Sequence, residues 1–316
     1  MAIVNPTPAN AASVHIDSAL SNFAVKYENS GFIADRVCPI LPVDKRSDTY
    51  FKRNRRDVSH AVNDVLGPKS RANEFRYSLS TASYAVQDRG LVDYVGSTMQ
   101  ANADAPLDPR ELSTQALMQQ ILLARELRVS SLFCTSGNFT NTGAAAALWT
   151  NETTGNPLGE INTAIATIPF SGEDTSLVAY CSRPVWNALR KHPQLLALKG
   201  TTTGQISRQE FAAYFELDEL CVSDLWSDTN NIGQDATYSR GWTSTVFGVV
   251  RVPKVLASAD TSVFGLTFRA KPGLEVRTWD EPAIGKGGSE AIQVEVSDDE
   301  AIVQADMGYL LTSVIA

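Results

Sequence analysis

A chain of 316 residues with 43% hydrophobic and 20% charged positions is long enough to bury about three quarters of its extended surface, in one large core or two modest ones. That excludes intrinsic disorder as the main state. The 27 Lys and Arg against 35 Asp and Glu give a formal net charge of −8, whereas a dedicated duplex binder carries a basic surplus to displace counterions. The longest unbroken hydrophobic run, Ala144 to Trp149, falls far short of the roughly 20 residues of a spanning helix, so no membrane partner is expected.

The opening Met1-Ala-Ile-Val-Asn-Pro-Thr-Pro lacks the basic start and apolar stretch of a secretion signal, and a soluble protein made inside the cell is expected. Residues 1 to about 16 read as an extended arm, after which Asp17 is placed to cap a short helix through Leu20, Phe23 and Tyr27. Phe32 to Pro39 and then Pro42-Val43 are expected to run extended, each proline also holding its predecessor extended. From Lys45 to Arg56 six basic residues meet one acidic residue. Tyr77-Ser-Leu79 and Ser83-Tyr-Ala-Val86 alternate as strands do. The region from about 40 to 95 is therefore expected to form a long, charged β-hairpin with little apolar material of its own, and an isolated hairpin is marginal in water.

A long helix is predicted over about 109 to 134. Asp108 suits the N-cap, Pro109 the first helical position and Glu111 the third residue of a capping box. Leu117, Ile121 and Ala124 form its expected core stripe. Downstream, Ile161, Ile165 and Ile168 suggest a helix, and Ser176 to Cys181 a buried strand. Ser182 is placed to cap a helix ending before Pro193, where His192 is expected to cap the last carbonyls. Ser207-Arg-Gln-Glu210 reads as a capping box. Glu219 to Ser223 and Val246 to Val252 read as strands, which makes the middle an α/β module. Leu274 to Trp279, Ala291 to Val296, Ala301 to Gln304 and Tyr309 to Ile315 read as short strands, with a turn at Gly285-Lys-Gly-Gly288.

Chemistry is nearly absent from this pattern. Gly67-Pro-Lys-Ser70 lacks the glycine frame of a phosphate loop, and Gly285-Lys-Gly-Gly288 precedes a strand rather than a helix. There is no HExxH or GxSxG, and the four cysteines stand at least 40 positions apart with no histidine cluster near them. No catalytic, cofactor or metal site is expected. The local anomaly is charge. The basic run holds Lys52, Arg53, Arg55 and Arg56, while Gln209 to Ser239 carries seven acidic residues and no basic one, including Asp224 and Asp228. Asp298, Asp299 and Glu300 lie in a second acidic stretch. Complementary patches on one chain suit contact between identical copies. A solvated loop and a nucleic-acid contact remain the other readings of the basic run.

In this order the segments resemble the major capsid proteins of tailed bacteriophages, the Hong Kong ninety-seven type. Phe32-Ile-Ala-Asp35 through Pro42-Val43 and Tyr50-Phe51 resemble the approach to that family's extended loop, and Val86-Gln-Asp-Arg-Gly-Leu91 its return strand. Arg125-Glu126 with Arg128-Val129 is similar to the charged end of its long helix. Ser182-Arg-Pro-Val-Trp186 with His192-Pro193 is similar to a helix of its second domain, and Ala301 to Gln304 with Gly308 to Leu311 to its final strands.

The resemblance implies an α+β capsid fold. An N-terminal arm would take 1–35, an extended loop 36–94, a peripheral domain with the spine helix 95–150 and 265–316, and an axial α/β domain 151–264. It implies a structural protein that assembles through pentamers and hexamers into an icosahedral shell enclosing double-stranded DNA, made in the host cytoplasm and ending in the virion. Separate portal and decoration proteins are possible partners under this reading. About 30 residues precede the loop without a charged helical pattern, so any scaffold is expected to be a separate protein. An encapsulin-like nanocompartment shell and, from another class, a soluble α/β enzyme are the alternatives.

Overall fold

The computed structural model describes residues 15–16, 31–53, 61, 63–66, 71–74, 79–102, 108–169, 174–200, 204–230, 233–255 and 262–316. In chain order the elements begin with strand β1 (His15–Ile16), helix α1 (Ala34–Val37) and strands β2 (Ile40–Val43), β3 (Ser47–Arg53), β4 (Leu79–Ala85) and β5 (Gln87–Gly96). Next come helices α2 (Ser97–Ala101) and α3 (Pro109–Phe133), strand β6 (Asn141–Ala144), helix α4 (Pro157–Thr167) and strand β7 (Thr175–Ser182). Helices α5 (Arg183–Leu189), α6 (Pro193–Leu198) and α7 (Arg208–Tyr214) lead to strands β8 (Glu219–Ser223), β9 (Trp226–Asp228) and β10 (Tyr238–Arg240). The chain closes with β11 (Phe247–Pro253), β12 (Gly265–Ala270), β13 (Glu275–Glu281), β14 (Ser289–Ile302) and β15 (Gly308–Thr312).

Helix α3 runs 25 residues, about 37 Å. Asp108 caps it, accepting from Arg110 N at 2.9 Å, with Pro109 in the first turn. Leu117, Met118 and Ile121 bury against Val276, Ile292, Val294 and Val296 of the first sheet. Ala124, expected in that stripe, is exposed, and Arg125 takes the buried position one residue later. The helical face that meets the sheet thus steps by four residues from Ile121 rather than by three.

The first sheet is organised around the 14-residue strand β14, which the sequence suggested as two strands. One edge of β14 pairs with β5 over its first ten residues, from Ser289↔Gly96 to Asp298↔Gln87. The other edge pairs first with β13, up to Glu275↔Glu295, and then with β12, from Arg269↔Asp298. Strands β12 and β13 are therefore one line along β14, broken by an insertion around Lys271-Pro272-Gly273. Outside this line β2 pairs in parallel with β12 and β1 antiparallel with β13. The turn from β13 to β14 places Gly285, Gly287 and Gly288 at φ of 78°, 91° and 83°, a region only glycine enters freely.

The second sheet has the order β6-β15-β11-β7-β8. Its core joins Ile161, Val185, Trp186, Leu189, Phe211 and Phe247 from the sheet and helices α4, α5 and α7, with Trp149 from the turn between β6 and α4. The expected grouping put all of 95–150 and 265–316 in one unit, but β6 and β15 are strands of this second sheet. Pairing of β15 with β11, at Leu310↔Gly248 and its neighbours, draws the C-terminal strand across. Gly248 is required there, because a Cβ would stand 2.1 Å from the Tyr180 ring. The Tyr180 hydroxyl in turn donates to Phe133 O at 2.6 Å, tying the second sheet to the end of α3.

The expected hairpin over 40 to 95 divides into three parts. Only β3 and β4 form the two-stranded ribbon, from Ser47↔Ala85 to Arg53↔Leu79, while β2 and β5 belong to the first sheet. The suggested helix after Asp17 and the Gly67-Pro-Lys-Ser70 turn lie outside the described residues.

Two expected caps resolve differently. Ser207 and Glu210 form the reciprocal capping box of α7 at 2.8 and 3.2 Å. With Lys199 and the Ser207 backbone as donors, Glu210 is held down to about 2. His192 does not cap the preceding carbonyls as a cation. Its Nδ1 accepts from Gln194 N at 3.3 Å at the start of α6, and the ring is buried. Burial lowers its pKa, so the unfolded chain binds the extra proton first. Its contribution to stability is complete above pH ~6.5, the ordinary histidine value, and is lost as pH falls through that range toward the folded-state value. The unfolding midpoint of the unassembled subunit should drop between pH 7 and 5. His192→Asn, which keeps a capping acceptor, should flatten that slope; equal slopes would show that His192 does not contribute.

Candidate assembly interface

The β3–β4 ribbon lacks apolar content along most of its length but is anchored at its root. Tyr84 stacks on Phe268 of β12 with ring centroids 4.5 Å apart, and Tyr50 lies 5.2 Å from the same ring. Leu41, Leu266 and Val303 complete this small core. Ala85 N donates to Asp299 Oδ2 at 2.9 Å, and Val86 N to Arg46 O at 2.9 Å. Strand alternation that turns Tyr50 inward turns Phe51 outward, where it is 57% exposed. The Lys52 ammonium lies 5.9 Å from the Tyr50 ring centroid. Arg53 ends β3; its side chain, and Arg55 and Arg56 altogether, lie outside the described residues.

The acidic candidates are all engaged within their own chain. Asp298 is 1% exposed and receives a two-pronged bond from Arg269, at 2.7 and 2.8 Å. Glu300 is similarly held by Arg128 at 3.0 and 2.7 Å, with its side chain 4% exposed. These two are corrections to the expected contact patch, since alternation along β14 and the facing arginines draw both carboxylates inward. Asp299, between them, caps the ribbon root as described. Asp224 is clamped by Arg183, with Nε 2.7 Å from both oxygens, and this bond lowers its pKa. Asp228 is exposed, but its Oδ1 accepts from Asn230 N and Thr237 N at 3.0 and 2.9 Å, closing the turn between β9 and β10.

Large apolar side chains that the sequence did not single out face solvent instead. On the β9–β10 ribbon Trp226 is 53% and Tyr238 68% exposed. The Arg240 guanidinium lies 4.5 Å from the Trp226 ring centroid, and the register Trp226↔Arg240 and Asp228↔Tyr238 puts all four on one face. Leu91, Val92 and Tyr94 on β5 are also exposed, and among the described residues no strand pairs with the outer edge of β5. Alternating exposure is ordinary for one face of a strand. Leu91 and Val92 point to opposite faces of β5 and are both exposed, although α3 covers the face of Leu91 further along the strand, at Val95.

The remaining polar features are self-contained. A cavity of about 520 Å³ opens at the β12–β13 insertion, lined by Arg46, Asp88, Lys271, Glu275, Arg277 and Glu295. Its charges pair across it, Arg277 with Glu275 and Glu295 at 3.0 Å each. The four cysteines are free thiols, and burial pushes Cys38 up to about 11 and Cys221 up to about 12. Among the described residues no group of three His, Cys, Asp or Glu is placed to hold a metal ion, and no helix is long and apolar enough to cross a membrane.

This architecture has known counterparts. No family model matches the chain. A major capsid protein of Pseudomonas phage JBD67 is 25% identical over 308 residues, covering 95% of this chain and 97% of that protein. A phage-related protein of Bordetella bronchiseptica superposes with a TM-score of 0.73 at 18% identity, over 95% of this chain and 97% of the other. The capsid of cyanophage P-SCSP1u gives 0.57 at 8% identity, over 91% and 89%. The long helix laid on a sheet, the second sheet and the projecting ribbon thus define a phage capsid-like shell protein with the α+β capsid fold. These likenesses support, over nearly the whole chain, the resemblance to the tailed-bacteriophage major capsid proteins, the Hong Kong ninety-seven type.

Proposed function

We propose that this chain is the repeating subunit of a closed icosahedral shell, built through pentamers and hexamers in the host cytoplasm, that encloses phage double-stranded DNA in the virion. The observation that carries the reading is the distribution of exposed aromatic side chains over separate parts of the body: Phe51 on the long ribbon, Tyr94 on β5, and Trp226 with Tyr238 on the short ribbon. Such side chains are costly to leave in water and are enriched where protein surfaces meet, and a shell subunit has neighbours on several sides. A heterologous contact repeated around an axis closes into rings. DNA is held by enclosure, consistent with a net charge of −8. We propose the first sheet with α3 as the peripheral unit and the second sheet with its helices as the axial one.

Electron microscopy of the purified protein at high concentration should show closed particles; a persistent monomer or small discrete oligomer would overturn the proposal. The basic run is given a role in these contacts. An exposed pair contributes about 0–1 kcal/mol. Reversing Arg53, Arg55 and Arg56 to Glu together therefore weakens each contact by up to about 3 kcal/mol, which raises the concentration needed for assembly by up to about 100-fold. Circular dichroism of the unassembled subunit should be unchanged. Particles of normal yield and salt tolerance would remove the basic run from the interface.

A further inference from the structure

Arg125 and Glu126 are consecutive in the last third of α3, the longest helix among the described residues, and both are buried, at 2% and 1% exposure. Such charges are retained only with partners. The Glu126 carboxylate has three. Oε1 accepts from Ile33 N at 3.0 Å and from Trp242 Nε1 at 2.7 Å, and Oε2 accepts from Ala34 N at 2.8 Å. The Arg125 guanidinium donates to Asp35, to Cys38 O at 3.0 Å and to Thr267 Oγ1 at 3.2 Å. One turn of chain, Ile33 to Cys38, is therefore gripped at both ends, with α1 between them.

The signs are matched to direction. The carboxylate meets the free N–H groups that open α1, and the guanidinium meets the carbonyl just past its end, each the favourable charge for that pole of a helix. Reversing α1 would put both charges against the wrong pole. Each grip also reaches a second part of the body. Trp242 packs edge-on to Tyr180 of the second sheet at 5.4 Å, and Thr267 belongs to β12 of the first. The residues that follow Cys38 are β2 and the long ribbon.

We infer that Arg125 and Glu126 form an orientation clamp that fixes how the segment leading into β2, and through β2 the ribbon, is seated against both sheets, making them positioning residues for assembly. The inference rests on the shell-subunit reading. The leverage is geometric: a seven-residue strand is about 23 Å long, and a tilt of about 10° at its root moves its far end by about 4 Å. Core-like packing between copies does not absorb such a shift.

The test variant is Glu126→Gln, which keeps the shape but turns an amide NH₂ toward backbone donors. The subunit should fold with unchanged circular dichroism. Hydrogen exchange at the Ile33 and Ala34 amides should rise about tenfold or more, with Ile121 unchanged. Assembly should yield open or mixed-diameter products where the unmodified chain, run alongside, yields uniform shells. Unchanged exchange at residues 33 and 34, or uniform shells of normal diameter, would overturn the clamp. Should Glu126→Gln not fold, Asp35→Asn releases part of the other grip at a largely exposed carboxylate and is read by exchange at the Val37 and Cys38 amides, which close α1 at that end; unchanged exchange there, or uniform shells of normal diameter, would overturn the clamp. If the unmodified chain forms no shells, the shell-subunit reading fails instead, and the exchange measurement still decides whether the clamp holds the segment.

Discussion

Phe268→Ala should lower the unfolding free energy of the unassembled subunit by about 3–5 kcal/mol and release the long ribbon from the body. Phe268 is fully buried, and it is the ring on which both Tyr50 and Tyr84 rest. Those two side chains carry the ribbon's inward-facing aromatic surface, and a two-stranded ribbon without such support is marginal. Polar ties at the root, among them the Asp299 cap, the Val86 N–Arg46 O bond and the exposed Arg46–Asp88 pair, do not replace that ring contact, and exposed pairs contribute little. Urea denaturation should report the loss, and limited proteolysis should cut within 47–85 under conditions where the body survives. Phe268→Leu, which keeps part of the contact, should cost about 1–2 kcal/mol. A wild-type midpoint and cleavage pattern for the alanine variant would show that the ribbon is held by something else.

Asp298→Ala should cost a similar amount, about 3–5 kcal/mol, because it strands the Arg269 guanidinium in a mostly buried site. Asp298 faces Gln87 on one side and Arg269 on the other, the point at which the second edge of β14 has passed from β13 to β12. Replacing both partners, Arg269→Leu with Asp298→Leu, should recover most of the loss, since an apolar pair leaves no unpaired charge. The outcome separates two roles. A carboxylate that reached a neighbouring copy would reduce assembly and leave the subunit's own stability intact, whereas the buried pair lowers subunit stability before any assembly is measured.

Much of the local structure was legible. Asp108 and Pro109 marked the start of α3 within a residue, Ser207 and Glu210 announced the capping box of α7, and β7, β8 and β11 lie where apolar runs placed them. The candidate contacts were less legible. Counting charges found the acidic stretches but not that Asp298 and Glu300 turn inward to arginines 29 and 172 positions away. Trp226, Tyr238 and Tyr94 carry no sequence mark that separates an exposed aromatic from a core one.

By itself the sequence determined the ends of α3, α7, β7, β8 and β11, because caps, prolines and apolar periodicity act over three or four neighbouring residues; residues 34–37, expected to be extended, form α1 instead. Only the tertiary structure decided that β12 and β13 share one edge of β14, that β15 crosses to the second sheet, that Ala124 faces water and that Arg125 and Glu126 are buried. Those outcomes depend on which distant segments come together. Strand pairing and charge satisfaction are settled by distance in space, and distance along the chain does not specify it.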